Sequence, residues 1–125
     1  MEKKDLKPAG VFKYFEEICQ VPRPSKKEEK IIAYLKAFGV KHNLETNVDE
    51  AGNVLIKKPA TPGKENLQTV ILQSHIDMVC EKNNDVQHDF LTDPIETEID
   101  GEWLKAKGTT LGADNGIGVA TELAI

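Results

Sequence analysis

A short run of consecutive apolar residues near the middle of the chain does most to limit the possible folds. The segment from Thr69 to Gln73 contains Val70, Ile71 and Leu72 in succession, so a strand formed there would be apolar on both faces. Strands of this kind are typical of the centre of a sheet that is covered on both sides. The run therefore predicts a central buried strand.

Helical patterns lie on both sides of this strand. Two segments before it have apolar residues at helical spacing: Val11, Phe12, Phe15, Ile18 and Cys19 in the first, and Ile31, Ile32, Leu35 and Phe38 in the second. Pro22 and Pro24 separate the two helices. Ser25 and Glu28 have the spacing of a capping box, which predicts that the second helix begins at Ser25. Its end is left open between a cap at Gly39 and a helix reaching about His42.

The remaining elements complete an α/β pattern. A weak strand over 44–48 and a second over 53–57 flank a turn at 51–53. Asp100-Gly101 between two β-like segments, 95–99 and 102–105, is a strong hairpin signal. A last helix begins at Gly116 and still has apolar residues on its buried stripe at Ile125, which predicts a piece of a longer protein. We expect a three-layer α/β/α sandwich with a mixed sheet.

Composition excludes several classes of partner. Sixteen Lys and Arg against twenty-one Asp and Glu leave a formal net charge of −5, which argues against nucleic acid. No apolar run approaches the roughly 20 residues that a bilayer span needs, and no apolar stretch follows Met1 as in a secretory signal. The only cysteines, Cys19 and Cys80, form no pattern. We therefore predict reduced thiols and a cytoplasmic location, with no membrane partner.

The first segment with functional chemistry comes directly after the predicted central strand. Ser74-His75-Ile76-Asp77 would lie at the carboxyl end of that strand, where ligands collect in open α/β sheets. A histidine that binds metal through one ring nitrogen commonly donates its other N–H to a carboxylate. Asp77 is close enough along the chain to accept from His75. On the spacing alone, a simpler interpretation, a solvated or hydrogen-bonded His–Asp pair, is favoured over metal binding.

The second such segment is a glycine-rich loop from Gly108 to Gly118. Its glycines surround one acid, Asp114, and permit close backbone approach. One interpretation makes Asp114 or Asn115 the N-cap of the last helix. Another makes the loop a phosphate cradle, although the glycine order is not that of a dinucleotide fingerprint and no P-loop lysine follows. Taken with His75 and Asp77, Asp114 instead completes a set of ligands suited to zinc.

The two segments together are recognisable. The stretches 73–83 and 109–118 closely resemble the two N-terminal signatures of the aminoacyl-histidine dipeptidases, within the co-catalytic zinc aminoacylase/carboxypeptidase family of metallopeptidases. The stretches 21–25, 88–90 and 93–95 also resemble that subfamily. The resemblance runs from about Phe12 to the end of the chain, in the right order. It implies that residues 1–125 are the N-terminal portion of a zinc-peptidase catalytic domain, whose remainder and any dimerisation domain are absent.

The resemblance also implies a role for each site residue. His75 would be a ligand of one zinc ion, and Asp114 would bridge two zinc ions. Asp77 would be the catalytic-site acid that orients His75. The peptide bond between Asp114 and Asn115 is typically cis in such proteins, and Asn115 departs modestly from relatives that have a second Asp there.

Several residues that the resemblance implies for metal binding and catalysis are not found in the chain. The general base, a Glu in a Glu-Glu pair, and the remaining ligands implied by the resemblance have no counterpart in the chain, and Glu122 is too close to Asp114 for the role. We therefore expect residues 1–125 to bind zinc weakly or not at all and to hydrolyse nothing. The full-length parent would hydrolyse dipeptides, of aminoacyl-histidine type, with water activated by two zinc ions, and is a candidate homodimer. A non-catalytic binding module of the same fold and, less favoured, a nucleotide-binding protein are the alternatives.

Overall fold

The computed structural model describes all residues from 1 to 125. A short 3-10 helix, Lys3–Asp5, precedes three α-helices and four strands. The helices are α1 (Ala9–Cys19), α2 (Glu29–Lys41) and α3 (Ala113–Ala124), and the strands are β1 (Glu45–Val48), β2 (Val54–Lys57), β3 (Thr97–Asp100) and β4 (Trp103–Ala106). The predicted α/β class is confirmed. No helix combines the length and the apolar character that crossing a bilayer requires.

The chain forms two compact units. The first contains residues 1–31 and 73–125, and the second contains residues 32–72. The first unit includes all three predicted site residues, so the core of this unit supports the site.

Helices α1 and α3 pack together in the core of the first unit. Their buried side chains are Phe15, Ile18, Cys19, Val119, Ala120 and Leu123. The start of β3 is fastened to α1, because Ile95 N–H donates to the Cys19 carbonyl at 2.8 Å and the Thr97 hydroxyl donates to Glu16 at 2.7 Å. The apolar stripes expected from the sequence are therefore the surfaces that join the two helices.

Both predicted hairpins are present. Strands β3 and β4 pair antiparallel from Thr97–Ala106 to Asp100–Trp103, and Gly101 has a φ of 61° at the turn. Strands β1 and β2 pair antiparallel in the second unit, where Asp49 Oδ1 accepts from the backbone N–H of Ala51 and Asn53. A side chain that accepts two residues ahead in this way stabilises the turn.

The predicted central strand is wrong for this chain. Residues 69–73 lie in no strand, and Val70, Ile71 and Leu72 are 77%, 83% and 53% exposed. A strand that is apolar on both faces needs neighbouring backbone on its edges and packed layers on its faces. The strands of residues 1–125 instead pair only within two separate antiparallel hairpins, so nothing hydrogen-bonds to this run as a sheet partner.

The start of α2 also differs from the prediction. The helix begins at Glu29 rather than Ser25, and Glu28 accepts from the backbone N–H of Lys26 at 2.8 Å instead of completing a capping box. At the other end, Gly39 lies inside a helix that continues to Lys41. A Cβ at Gly39 would lie within 2.9 Å of the Thr46 Cβ, so this glycine permits close approach of β1 rather than ending the helix.

Candidate metal centre

Three extended segments of the first unit lie side by side and carry the site. The segment 23–25 pairs with Met78: Met78 N–H donates to the Arg23 carbonyl at 3.0 Å, and Ser25 N–H donates to the Met78 carbonyl at 3.3 Å. On the other side, Thr110 N–H donates to the Glu81 carbonyl at 2.8 Å. The predicted His–Asp segment and the glycine-rich loop are therefore neighbours.

His75 lies between the other two predicted site residues. Its Nε2 is 2.9 Å from Asp114 Oδ1, and its Nδ1 is 3.0 Å from Asp77 Oδ1. Asp114 is 39 residues away along the chain, so only the fold brings the two together. The site is open, because the side chains of His75 and Asp114 are 51% and 95% exposed.

The two carboxylates favour the protonated imidazole. The hydrogen bond with Asp114 raises the pKa of His75 most; desolvation opposes it, and Asp77 acts in the same direction as Asp114. The pKa of Asp77 is lowered, first by the hydrogen bond from Ser25 and then by His75.

Ser25 contacts a site residue, although the sequence predicted it as the first residue of the second helix. Its hydroxyl donates a short hydrogen bond to Asp77 Oδ2, whereas the sequence predicted a helix cap. The hydroxyl fixes the far oxygen of Asp77 while Oδ1 contacts His75. The stretch 21–25, which already resembled the dipeptidase subfamily, was the available signal that this serine lies near the site.

The glycine-rich loop separates the roles of Asp114 and Asn115. Asn115 Oδ1 accepts from Gly118 N–H at 3.2 Å, the contact of an N-cap with the third helical residue. Asp114 has non-helical backbone angles (φ −91°, ψ 103°) and contacts His75 instead. The predicted cis peptide between Asp114 and Asn115 is present. One of the two capping candidates therefore caps the helix, and the other is available to the site.

The loop does not have the free space of a phosphate cradle. A Cβ at Gly112 would lie 2.6 Å from Arg23 Nη2 and 2.8 Å from Met78 Sδ, and a Cβ at Gly116 would also lie 2.6 Å from Arg23 Nη2. The space that these glycines leave is occupied by a protein side chain. This observation disfavours the nucleotide-binding alternative.

Glu122 is engaged below the site. Its Oε2 accepts from the Ser74 hydroxyl at 2.9 Å, and the residue is half-buried in α3. Its side-chain hydrogen bond goes to Ser74 and not to His75 or Asp114, which agrees with leaving it out of the predicted base role.

The residues present fit part of a metal site. One imidazole nitrogen and one carboxylate oxygen converge, and the other imidazole nitrogen contacts a second carboxylate, as it does for the ligating histidines of many zinc sites. No three His, Cys, Asp or Glu side chains of residues 1–125 are grouped so that they could hold a metal ion. The donors suit zinc, but a closed site needs about four ligands.

Comparison with known proteins agrees with the resemblance seen in the sequence. The chain is similar to dipeptidases over nearly its whole length. It is 50% identical over 124 residues, 99% of the chain, to the cytosol non-specific dipeptidase of Escherichia coli K12, of which it spans 26%. No family model matches the chain.

Two solved structures agree. The aminoacylhistidine dipeptidase of Vibrio alginolyticus superposes with a TM-score of 0.95 at 53% identity, over 99% of this chain and 25% of that one. A tripeptidase from Staphylococcus aureus superposes with a TM-score of 0.73 over 92% of this chain and 30% of its own, but at 21% identity it shows the fold alone. The chain thus spans about a quarter of the length of the dipeptidases from Escherichia coli and Vibrio alginolyticus.

Proposed function

We propose that residues 1–125 form the N-terminal portion of the catalytic domain of a cytoplasmic di-zinc dipeptidase. The single observation that carries this proposal is the contact of His75 Nε2 with Asp114 Oδ1 at 2.9 Å, in a chain that is 50% identical to a dipeptidase. In the whole protein, the exposed run Val70–Leu72 would become the central strand of a three-layer α/β/α sandwich with a mixed sheet.

His75 and Asp114 are the proposed metal ligands. Asp77 holds His75 Nδ1, so that the imidazole presents Nε2 toward Asp114. A carboxylate in this position fixes the ring orientation and raises the basicity of the ligating nitrogen. The exposed carboxylate of Asp114 would bridge the two ions, and the contact between Nε2 and Oδ1 would open to admit them.

Two bound zinc ions would supply water activation and polarisation of the scissile carbonyl. Residues 1–125 contribute orientation and charge at the ligating atoms, and the general base and the remaining ligands belong to the whole protein. Within the chain, the Asp77 carboxylate maintains the imidazole tautomer and Ser25 maintains the Asp77 rotamer.

The substrate class is a dipeptide. The two similar relatives are named for different preferences, one for aminoacyl-histidine and one for dipeptides without specificity. We propose aminoacyl-histidine dipeptides as the first substrates to try, with the full-length protein acting as a homodimer. Because the two relatives are named for different preferences, the test must include dipeptides without histidine.

The test compares the whole protein that carries this sequence with the 125-residue chain. The zinc-loaded whole protein should hydrolyse Ala-His, and the chain alone should bind zinc weakly and hydrolyse nothing. His75→Ala and Asp114→Ala should each lower metal affinity and remove hydrolysis. His42→Ala, at the end of α2, is the matched histidine control and should leave both unchanged.

Two results would contradict the proposal. Tight binding of two zinc ions by residues 1–125 in isothermal titration would show that the metal cage does not depend on further ligands. A whole protein that binds zinc and dipeptides without cleaving them would instead be a non-catalytic binding module of the same fold.

A further inference from the structure

Arg23 is the most deeply buried charged side chain of the molecule. It is 2% exposed, and all three of its hydrogen bonds go to main-chain carbonyl groups. No carboxylate forms an ion pair with its guanidinium. Burying an unpaired charge is costly, and a surface lysine or arginine would avoid that cost. A residue retained at such a cost is a candidate for a specific structural role.

The three carbonyl groups belong to both halves of the candidate metal centre. Nη1 donates to the carbonyls of Ile76 and Asp77 at 3.2 and 3.1 Å, and Nη2 donates to the carbonyl of Gly112 at 2.7 Å. The first two carbonyls lie within two residues of His75, and Gly112 lies two residues before Asp114. One planar group therefore joins the two segments that carry the proposed ligands.

The surrounding chain is shaped around this group. Gly112 and Gly116 each leave space where a Cβ would lie 2.6 Å from Arg23 Nη2. Gly112 also has a φ of 75°, which side chains other than glycine rarely adopt. The absence of side chains at Gly112 and Gly116 thus allows the loop backbone to approach the guanidinium closely.

Of the contacts that Arg23 makes, the hydrogen bond to the Gly112 carbonyl depends on its side chain alone. The backbone of Arg23 is already bonded to Met78, so the pairing of segment 23–25 with segment 76–78 does not depend on the guanidinium. The loop is bonded through Thr110 to Glu81 and Val79, upstream of Gly112. Between Thr110 and Asp114, the bond from Arg23 Nη2 joins the loop to the His75 segment.

We propose that Arg23 is a positioning residue, whose guanidinium joins the carbonyls of Ile76 and Asp77 to that of Gly112 and so sets His75 against Asp114. This role rests on the proposed metal centre. It requires the fork of two nitrogens in a fixed plane, which lysine lacks even though it keeps the charge.

The test uses the whole protein with Arg23→Lys and Arg23→Met. Lys30→Met is the matched control, because Lys30 Nζ also donates to a main-chain carbonyl, that of Leu91 at 2.6 Å, outside the site. Zinc affinity is measured by competition with a chelator, and the absorption bands of the cobalt-substituted protein report ligand geometry. We expect both Arg23 variants to lose about 10- to 100-fold in metal affinity, the loss typical of outer-shell positioning groups, with altered cobalt bands. Lys30→Met should match the wild type.

A measurement without metal separates this proposal from the proposed function. The ¹⁵N shifts of the His75 ring report its contacts with Asp77 and Asp114, and protection of the Cys19 thiol reports the α1–α3 core. Folded Arg23→Lys protein should show a changed Nε2 signal. An unchanged Nε2 signal, or wild-type zinc affinity in Arg23→Lys, would overturn the role of Arg23 whether or not the protein is a dipeptidase. Failure of the wild type to bind zinc, with the Nε2 signal still dependent on Arg23, would reject the metal centre and keep the positioning role.

Gly116→Ala is a second variant in case Arg23→Met does not fold. It retains the buried charge and crowds the guanidinium, because a Cβ at Gly116 would lie 2.6 Å from Nη2. It should lower zinc affinity and alter the His75 signal in the same direction as Arg23→Lys. Wild-type values for both quantities in Gly116→Ala and Arg23→Lys would overturn the proposal.

Discussion

Two stretches of the chain separated by only a few residues behave in opposite ways. In the first stretch Met78 is buried and its backbone is bonded to segment 23–25, whereas in the second Val70, Ile71 and Leu72 are exposed and belong to no sheet. Both stretches are apolar enough for a core. The difference teaches that hydrophobicity alone does not bury a strand, since the backbone also needs hydrogen-bonding partners.

The two stretches also differ in whether residues 1–125 supply partners for their backbone. Segments 23–25, 76–82 and 109–112 satisfy one another and bring His75 to Asp114 without further chain. The run at 70–72 has no such partners. Four predictions test or refine this contrast, from the largest expected effect to the smallest.

Phe15→Ala should destabilise the first unit by about 3–5 kcal/mol, because it removes an aromatic ring that is 1% exposed in the α1–α3 core. Ile71→Ala should change the free energy of unfolding by less than about 0.5 kcal/mol, because Ile71 is already exposed. Urea unfolding of the 125-residue chain, followed by circular dichroism, measures both. Equal losses would mean that the run at 70–72 is packed in solution.

The two cysteines should differ in reactivity. Burial raises the pKa of Cys19 to about 12, and its thiol is inside the α1–α3 core, while Cys80 is half-buried beside the site. At pH 8 a thiol reagent should modify Cys19 at least about 100-fold more slowly, because reaction must wait for an opening that costs several kcal/mol. Mass spectrometry of timed samples gives the two rates. The rates should converge in urea, and similar rates in native buffer would contradict the packing.

Asn115→Ala should cost about 1 kcal/mol, since it removes the acceptor for Gly118 N–H at the start of the helical part of α3. Asn115→Asp is the matched control, because its carboxylate keeps the acceptor and favours the helix N-terminus. Thermal unfolding of the two variants measures the difference. A stability of Asn115→Ala equal to that of Asn115→Asp would show that the cap contributes nothing.

The smallest effect concerns His75, whose side chain is half exposed. Its folded pKa is raised, first by Asp114, so its contribution to stability is complete below the unfolded pKa of about 6.5 and is lost as pH rises through the folded pKa. An NMR titration of the imidazole without added metal should show a lower midpoint in Asp114→Asn than in the wild type. An unchanged midpoint would mean that the contact between Nε2 and Oδ1 does not persist in solution.

Much of the local structure could be predicted from periodicity and turn residues. The stripe around Phe15 and Ile18 gave α1, and Asp100-Gly101 gave the β3–β4 turn, because such patterns depend on neighbours within a few positions. The second helix was misjudged at its start, because the hydroxyl of Ser25 bonds to Asp77, 52 residues away, rather than to its own helix. A capping pattern cannot reveal a competing acceptor so distant in sequence.

In the candidate site, too, local sequence and tertiary structure determined different features. The sequence alone determined the residue types of the site, His75, Asp77 and Asp114, and the resemblance that relates them to dipeptidases. Tertiary structure decided that Nε2 meets Asp114, that Asn115 rather than Asp114 caps α3, and that Arg23 joins the two segments. The cap joins residues only three positions apart, but the contact of His75 with Asp114 and the bond from Arg23 to Gly112 join groups 39 and 89 residues apart along the chain. Spacing within a motif carries no information about those two distances, which only the packed chain sets.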